Sequence, residues 1–514
     1  MKMPGCNNLV RLLSGLFASV CSVSFAQDPS STPTIHRSNY LVKQDCNSAN
    51  CHGNSVITSE LWNQSGEIWF SQDPHSFAFA NLLSPESLKI VCNLWSSQDA
   101  PPENVDHPKY RQFLEVHCVA CHASEVSPLA QRLSGVDCQS CHGSQLAWDT
   151  SHYPENSQKW TKANRAAFFK NNKREPIDTQ SPWILASVCG SCHVGQLNRS
   201  GVIPFDDQSS LPVQQREVSH QLMAAGHPPT YFELGQYLRR YPKHWWDAGM
   251  PIPKGLNAED QKQTLDTISG SSLEAWRVGK IVNALQRLEL LEHRLGLPEW
   301  PEFTEHRCTS CHHPIDPPNR SVSRFKRSTA QWDGWYLEQV DLALELTQST
   351  HTPSGSPPFA GGPLQKWNLA RLHLQSLLAN PHTIHPSDDL AEARKKIAEM
   401  KGLLAGIINE QSPMINTQEI VKVRKEWADR LAKTASDNSW ESAIQIQLAA
   451  DALANPPNPQ TQVNSTPSSA FKKTPWDLPN GTWRPGEPTP YEASRNFDWN
   501  RFLEQLQEIQ QSYK

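Results

Sequence analysis

Five pairs of closely spaced cysteines, each followed at once by a histidine, constrain this chain more than any other feature. A Cys-x-x-Cys-His motif is the attachment signature of a c-type haem. Two thiols a few residues apart reach the two vinyl groups on one porphyrin edge, and the next histidine lies under the iron. We therefore predict five covalently bound haem c groups, at Cys46/Cys51-His52, Cys118/Cys121-His122, Cys138/Cys141-His142, Cys189/Cys192-His193 and Cys308/Cys311-His312.

Two other chemistries also use paired cysteines. Two Cys-x-x-Cys pairs can form a four-cysteine zinc site, but such a site does not require a histidine after every second cysteine. Disulfides suit an exported protein. However, the chain has 13 cysteines. Two of them, Cys6 and Cys21, precede the motifs, and Cys92 is left over, so the odd remainder argues against a purely disulfide framework. Zinc and disulfides stay the alternatives to haem.

The N-terminus indicates export. Residues 1–26 have the pattern of a signal peptide: Lys2 and Arg11 supply positive charge, a short apolar run follows, and a small-residue cleavage site precedes Gln27. We expect a periplasmic or otherwise exported protein. No later segment is long and apolar enough to span a bilayer. The net charge of −5 and the lack of a long basic run argue against nucleic-acid binding.

Composition and patterning predict a mainly α fold with extensive irregular loops, a multihaem cytochrome core and a C-terminal helical extension. Apolar content is only 37% and the chain has 40 prolines, which indicates either a loop-rich protein or a core partly supplied by haem. A long helix is expected from Ser271 to Leu295, ended by Gly296 and Pro298, and four amphipathic segments follow it. The predicted divisions are 27–200 with four motifs, 201–325 with the fifth motif, a helical extension over 326–455, and a Pro-rich linker with a terminal helix over 456–514.

The second axial ligand of each iron decides its chemistry. Two histidines make an electron-transfer centre, whereas an open position makes a potential catalyst. Gly226 and the two prolines after His227 favour a close approach of the backbone to a flat group. Five histidines outside the motifs are the candidates for this distal position: His75, His152, His220, His227 and His244.

Several longer motifs between about residues 40 and 320 carry a family resemblance: HSFAF, CVACHA, GVDCQSCHG, AAGHPPTYFEL, PKHW and CTSCHHP. As a group they resemble those of the tetrahaem cytochrome c of nitrifying bacteria and its wider multihaem relatives. The resemblance implies stacked haem pairs, mostly bis-histidine iron and an electron-transfer role. It supports His75, His152 and His227 most directly as distal ligands, and His220 and His244 less so. This chain differs in its wider first motif, its fifth motif and its long C-terminal extension.

The expected function is therefore that of an exported pentahaem electron carrier that docks transiently to redox partner proteins. The alternative is a multihaem oxidoreductase that acts on a small nitrogen or sulfur compound at one five-coordinate haem. No acid–base set for such an enzyme can be singled out, so the carrier is favoured over the enzyme. Because the motifs at Cys118 and Cys138 are close in sequence, we also expect their haems to be neighbours.

Overall fold

The computed structural model describes part of the chain. The described residues are 61–96, 99–124, 135–143, 162–171, 176–197, 216–245, 272–297, 300–307, 335–349, 362–378, 387–410 and 440–454, with Cys46, 52–53, Trp148, Trp332 and four residues of the last turn, Glu504, Gln507, Glu508 and Gln511. The predictions for the signal peptide, Cys51, His152, Cys308, Cys311 and His312 lie outside these residues.

The expectation of a mainly α-helical protein is confirmed. The described ranges form no sheet and contain two isolated β-bridges, Gln196 with Arg216 and His306 with Trp332. The helices in these ranges are α1 Ser65–Gln72, α2 Ala78–Asn81, α3 Pro85–Leu94, α4 Pro108–His117, α5 Val119–His122, α6 Cys138–His142, α7 Lys162–Asn171, α8 Pro182–His193, α9 His220–Ala224, α10 Leu234–Arg240, α11 Ser272–Arg294, α12 Val340–Ser349, α13 Pro363–Leu378, α14 Ser387–Glu410 and α15 Trp440–Ala454, with 3₁₀ turns at Leu61–Gln64, Pro74–Phe77 and Phe303–Glu305.

Helix starts in the first half of the chain follow from local sequence. Helices α3, α4 and α8 each begin with a proline, whose fixed φ suits the first helical turn and whose missing N–H costs no hydrogen bond there. Ser84 caps α3, and Asp137 caps α6 by accepting from the N–H of Gln139. The residues at the first turn therefore determine where these helices begin, and they stabilise helices that are too short to be stable by length alone.

Helix α11 is the centre of the larger of two apolar clusters. Nearly all of its described side chains are buried, and helices α8, α10, α12, α14 and α15 pack around it. A helix that is buried on all sides in this way is a core element rather than a surface element. The helix predicted to end near Leu295 is confirmed. Three of the four amphipathic segments that follow it match α13, α14 and α15, and residues 419–433 lie outside the described part.

Charged side chains on α11 are buried together with partners. The Arg277 guanidinium, 0% exposed, donates to the Glu274 carboxylate at 2.5 and 3.0 Å and to Thr347 Oγ1 of α12 at 2.9 Å. It also lies over the ring of Trp183 on α8, 5.4 Å from the ring centre. Burying a charge is costly unless it is paired and hydrogen-bonded. This network therefore fixes α11 in register with both neighbours.

The smaller cluster joins helices α2 to α5. It consists of seven buried residues: Phe79, Leu82, Val91, Tyr110, Leu114, Val119 and Ala123. The Tyr110 hydroxyl donates to the carbonyl of Leu82, which satisfies the polar end of a completely buried ring. Among the described residues, side chains alone thus provide only a modest core beside the second motif. Among the described helices, none has the length and apolar character needed to cross a bilayer.

Truncating a side chain at the centre of the larger cluster should destabilise the protein. Leu288 on α11 is 0% exposed, so Leu288→Ala should lower the free energy of unfolding by about 2–5 kcal/mol through lost burial and a residual cavity. Leu369 on α13 is 62% exposed, and Leu369→Ala should change it by no more than about 0.5 kcal/mol. Denaturant unfolding of both variants measures the difference. Equal effects would contradict the central position of α11.

Candidate functional site

Three pairs of histidine rings face each other across nearly equal gaps. In every pair, one histidine ends a Cys-x-x-Cys-His motif and the other comes from a different part of the chain. The ring centres are 6.0 Å apart for His75 and His193, 6.3 Å for His122 and His227, and 6.2 Å for His142 and His244. The chain thus brings three predicted proximal histidines together with three predicted distal histidines.

This gap is the one that a shared metal ion would require. A metal–imidazole bond is about 2 Å long. The ring centre lies about 1 Å beyond the nitrogen, so two imidazoles on opposite sides of one iron have centres roughly 6 Å apart. The ring planes cross at 80°, 89° and 73° in the three pairs. Two opposed ligands fit the axial positions of a haem, whereas a structural zinc site needs four ligands in a tetrahedron.

The motif histidines are positioned by helix ends. Helices α5, α6 and α8 each have a motif histidine as their last residue: His122, His142 and His193. Residues three apart lie on the same face of a helix, so in α6 and α8 both thiols of the motif lie along one side. One helical turn therefore presents two thiols and one imidazole to the same space.

The opposing histidines are fixed by turns. His75 lies in a 3₁₀ turn that is capped by Asp73, whose carboxylate accepts from the backbone N–H of His75 at 2.9 Å. His227 follows Gly226, whose φ of +118° lies in the left-handed region that glycine adopts without strain. The N–H of His227 then bonds the carbonyl of Leu222 at 3.1 Å, which closes the end of α9. The local turns thus set the positions of the His75 and His227 rings.

Hydrogen bonds at Nδ1 hold several of these rings in one orientation. A metal-binding imidazole commonly uses one nitrogen for the metal and donates from the other, which fixes the tautomer. The Nδ1 partners are Asp73 Oδ1 for His75 (2.9 Å), the Ala78 carbonyl for His122 (2.9 Å), the Pro228 carbonyl for His227 (2.7 Å), Thr179 Oγ1 for His142 (3.3 Å) and Ser65 Oγ for His52 (3.1 Å). The partners of His75, His122 and His227 can only accept, so Nδ1 of these rings donates and Nε2 is left as the metal-binding nitrogen.

Burial favours the neutral form of five of the six paired rings. Desolvation lowers the pKa of His193 to about 3 and the pKa values of His142 and His227 to about 4. Burial also lowers the pKa values of His122 and His244. A neutral imidazole is the form that binds a metal. The same rings keep partial solvent accessibility, so they border a crevice inside the protein rather than close-packed core.

Burial also disfavours the thiolate form of several motif cysteines. Burial raises the pKa values of Cys118, Cys138 and Cys189 to about 12. A hydrogen bond with the thiol of Cys121 raises the pKa of Cys192, and burial adds to the effect. Thiols in such surroundings do not behave as exposed, reactive thiolates. They are held instead beside the histidine pairs.

The four described motifs follow one another in space in an order that differs from their order in sequence. Cys46 and Cys138 interact electrostatically, which places the first motif beside the third. Cys141 interacts with Cys189, which places the third beside the fourth. The thiols of Cys121 and Cys192 are hydrogen-bonded, which places the second beside the fourth. The spatial order is therefore first, third, fourth, second.

The neighbouring second and third motifs meet through their flanking residues. Ser124 Oγ lies 2.7 Å from Ser140 Oγ and accepts from the N–H of Asp137 at 2.8 Å. The sequence predicted these two motifs as direct neighbours because the segment between them is short. Their polypeptide segments do touch, but the thiols of the second motif contact the fourth motif.

Two residues of the site were not found by sequence reasoning. Asp73, 1% exposed, binds His75 Nδ1 through one carboxylate oxygen and accepts from the Tyr241 hydroxyl through the other. Burial opposes its ionisation, but these hydrogen bonds outweigh burial and lower the pKa of the Asp73 carboxyl. The helix-start pattern Asp-Pro-His could have identified Asp73, whereas Tyr241, at the end of α10, has no local signal.

The fourth described distal candidate lies elsewhere. His220 begins α9, its backbone N–H donates to Glu302 at 2.9 Å, and its ring lies 5.5 Å from that of Phe303. The structure does not bring it beside His52, His122, His142 or His193, and the fifth motif lies outside the described residues. Within the described part of the chain, no group of three or more His, Cys, Asp or Glu side chains could hold a metal ion by itself.

Comparisons with known proteins add no relative. No protein-family model, curated protein or solved structure matches the chain.

Removing the hydroxyl that joins the second and third motifs should destabilise the site. Ser124 is 1% exposed, so Ser124→Ala leaves the buried N–H of Asp137 without its acceptor and should cost about 1–3 kcal/mol. The control change Ser71→Ala removes an exposed hydrogen bond to the Glu67 carbonyl and should cost less than about 0.5 kcal/mol. Thermal unfolding of the two variants compares them. An equal or larger loss for Ser71→Ala would contradict the assignment.

Proposed function

We propose that the chain is an exported multihaem c-type cytochrome that carries electrons between redox partner proteins. The observation that carries this proposal is the set of three histidine pairs at 6.0–6.3 Å. Each pair unites a histidine of a Cys-x-x-Cys-His motif with a histidine remote in sequence. Independent surface histidines would not be expected to repeat one spacing three times with a motif residue in each pair.

The residues present fit covalent haem at five motifs. The motif cysteines would form the thioether links, and His52, His122, His142, His193 and His312 would be the proximal ligands. His227, His244 and His75 would be the distal ligands of the second, third and fourth haems. His152 and His220 stay the candidates for the remaining two. Bound haem would supply a reversible one-electron iron couple.

The protein residues support a carrier more directly than an enzyme. Each described pair offers two imidazoles, so both axial positions of the corresponding iron would be filled and neither would be left for a substrate. Hydrogen bonds at Nδ1 hold several of the rings in place. A ring that is held rigidly changes little when its metal gains or loses an electron. The alternative, an oxidoreductase acting on a small nitrogen or sulfur compound, would need one open site.

The spatial order of motifs supports transfer within the chain. Thiols of successive motifs in the order first, third, fourth, second interact electrostatically or through a hydrogen bond, so the groups attached to them would be close neighbours. The signal-peptide pattern over residues 1–26 supports a periplasmic or otherwise exported location, where haem attachment takes place.

A haem count tests the proposal directly. The pyridine haemochrome assay on the purified mature protein should give five haems per chain, one for each motif. Electron paramagnetic resonance of the oxidised protein should be mainly low-spin, because paired imidazoles make a strong ligand field. A protein with no haem and with bound zinc would refute the proposal. A dominant high-spin signal with carbon monoxide binding would favour the enzyme.

Removing one distal ring should open one iron. His227→Ala should convert one haem from low-spin to high-spin while the number of attached haems stays the same, because the motif cysteines are unchanged. His117→Ala is the control, since the exposed His117 ring lies against Phe113, 4.4 Å away, rather than against a motif histidine. Its spectrum should not change. An unchanged spectrum in His227→Ala would remove His227 from the ligand set.

A further inference from the structure

One histidine of the described set has a carboxylate as its Nδ1 partner. His75 bonds Asp73 at 2.9 Å, whereas the Nδ1 atoms of His52, His122, His142 and His227 bond hydroxyl or carbonyl oxygens. Neutral acceptors fix a ring, but a carboxylate also increases the electron donation of the imidazole to its metal. The site formed by His75 and His193 therefore differs electronically from the others.

The surroundings of Asp73 strengthen this difference. Its side chain is 1% exposed, so water screens its charge poorly. The Tyr241 hydroxyl donates to its second oxygen. The ring of Tyr241 lies between two sites, with its centre 5.8 Å from that of His75 and 5.9 Å from that of His244. Asp73 thus acts on His75 through a hydrogen bond and on His244 only through space.

A buried cation lies near the second motif. Arg216 is 5% exposed, and its charge acts on the thiol of Cys121 in the second motif. Cys121 belongs to the site of His122 and His227. A nearby positive charge favours the reduced form of a redox centre, and a nearby negative charge favours the oxidised form. The two charges therefore push neighbouring sites in opposite directions.

We propose that Asp73, through its hydrogen bond to His75, gives the haem of the fourth motif the lowest reduction potential of the three paired sites. Asp73 is a positioning and tuning residue that acts through His75, and this inference rests on the proposed function. In the spatial order of the motifs, the low-potential site lies between the second and third motifs. An electron that crosses the protein would therefore have a higher energy on the fourth-motif haem than on its neighbours. It would spend more time on the second-motif and third-motif haems.

Three variants of the haem-loaded protein test the proposal by spectroelectrochemical titration followed by electron paramagnetic resonance. The signal of the fourth-motif haem is first assigned from its conversion to high-spin in His75→Ala. Asp73→Asn keeps a hydrogen-bonding side chain of the same shape without the charge. It should favour reduction of that haem by roughly tenfold, which corresponds to about 59 mV for one electron. The third-motif haem, on which the Asp73 charge acts only through space, should shift less.

Tyr241→Phe should shift the same haem in the opposite direction. Without the Tyr241 hydroxyl, the Asp73 carboxylate accepts more strongly from His75, so the haem becomes harder to reduce. A purely structural role of the two residues would not give opposite signs. If Asp73→Asn does not yield folded protein, a lowered potential in Tyr241→Phe still supports the proposal, and an unchanged or raised one overturns it.

The matched control is Asp137→Asn. Asp137 is 2% exposed and caps α6, and asparagine preserves such a cap. Its charge acts on Cys138 of the third motif, so the fourth-motif haem should keep its potential. An equal shift of that haem in Asp73→Asn and Asp137→Asn, or no shift in Asp73→Asn, would overturn the inference. A wild-type protein without haem would instead refute the proposed function.

Discussion

The facing of two imidazole rings from remote parts of the chain is the constraint on which the rest of the described structure depends. A distance near 6 Å between ring centres can be kept in three places only if the surrounding protein fixes the position of both rings in each pair. One ring of each pair ends a short helix, and the other is set by a turn or by an irregular segment. The capping residues, the proline starts and the Nδ1 hydrogen bonds all contribute to this placement. The small apolar cluster of α2 to α5 would not fix six rings by packing alone.

Much of the site could be predicted because its signals are local. Cys-x-x-Cys-His places three functional groups within five residues, so no knowledge of the fold was needed to identify them. Helix α11 could likewise be predicted, because its apolar residues follow helical spacing along its 23 residues. His75, His227 and His244 were identified as candidates, but their partners were not, because a pairing between positions more than 90 residues apart leaves no local periodicity.

The features of the site that could not be predicted are those that depend on tertiary contacts. Tyr241 reaches Asp73 across 168 positions of sequence, and nothing near either residue indicates the other. The second and third motifs were predicted to be neighbours from the length of their spacer, which limits how far two segments can separate but does not choose their closest neighbour. Likewise, Glu274 and Arg277 form a buried pair with Thr347 because α11 lies at the centre of the larger cluster.

The order first, third, fourth, second has a consequence for how such a protein meets its partners. Of the four described motifs, the first and the second stand first and last in this series of thiol interactions, although they follow each other in the chain. On the proposed function, electrons could enter beside one of these two motifs and leave beside the other, so that a donor and an acceptor could be bound at the same time. On the proposed function, the protein would work as a fixed bridge between two bound proteins, and not as a shuttle that must release one before it meets the other.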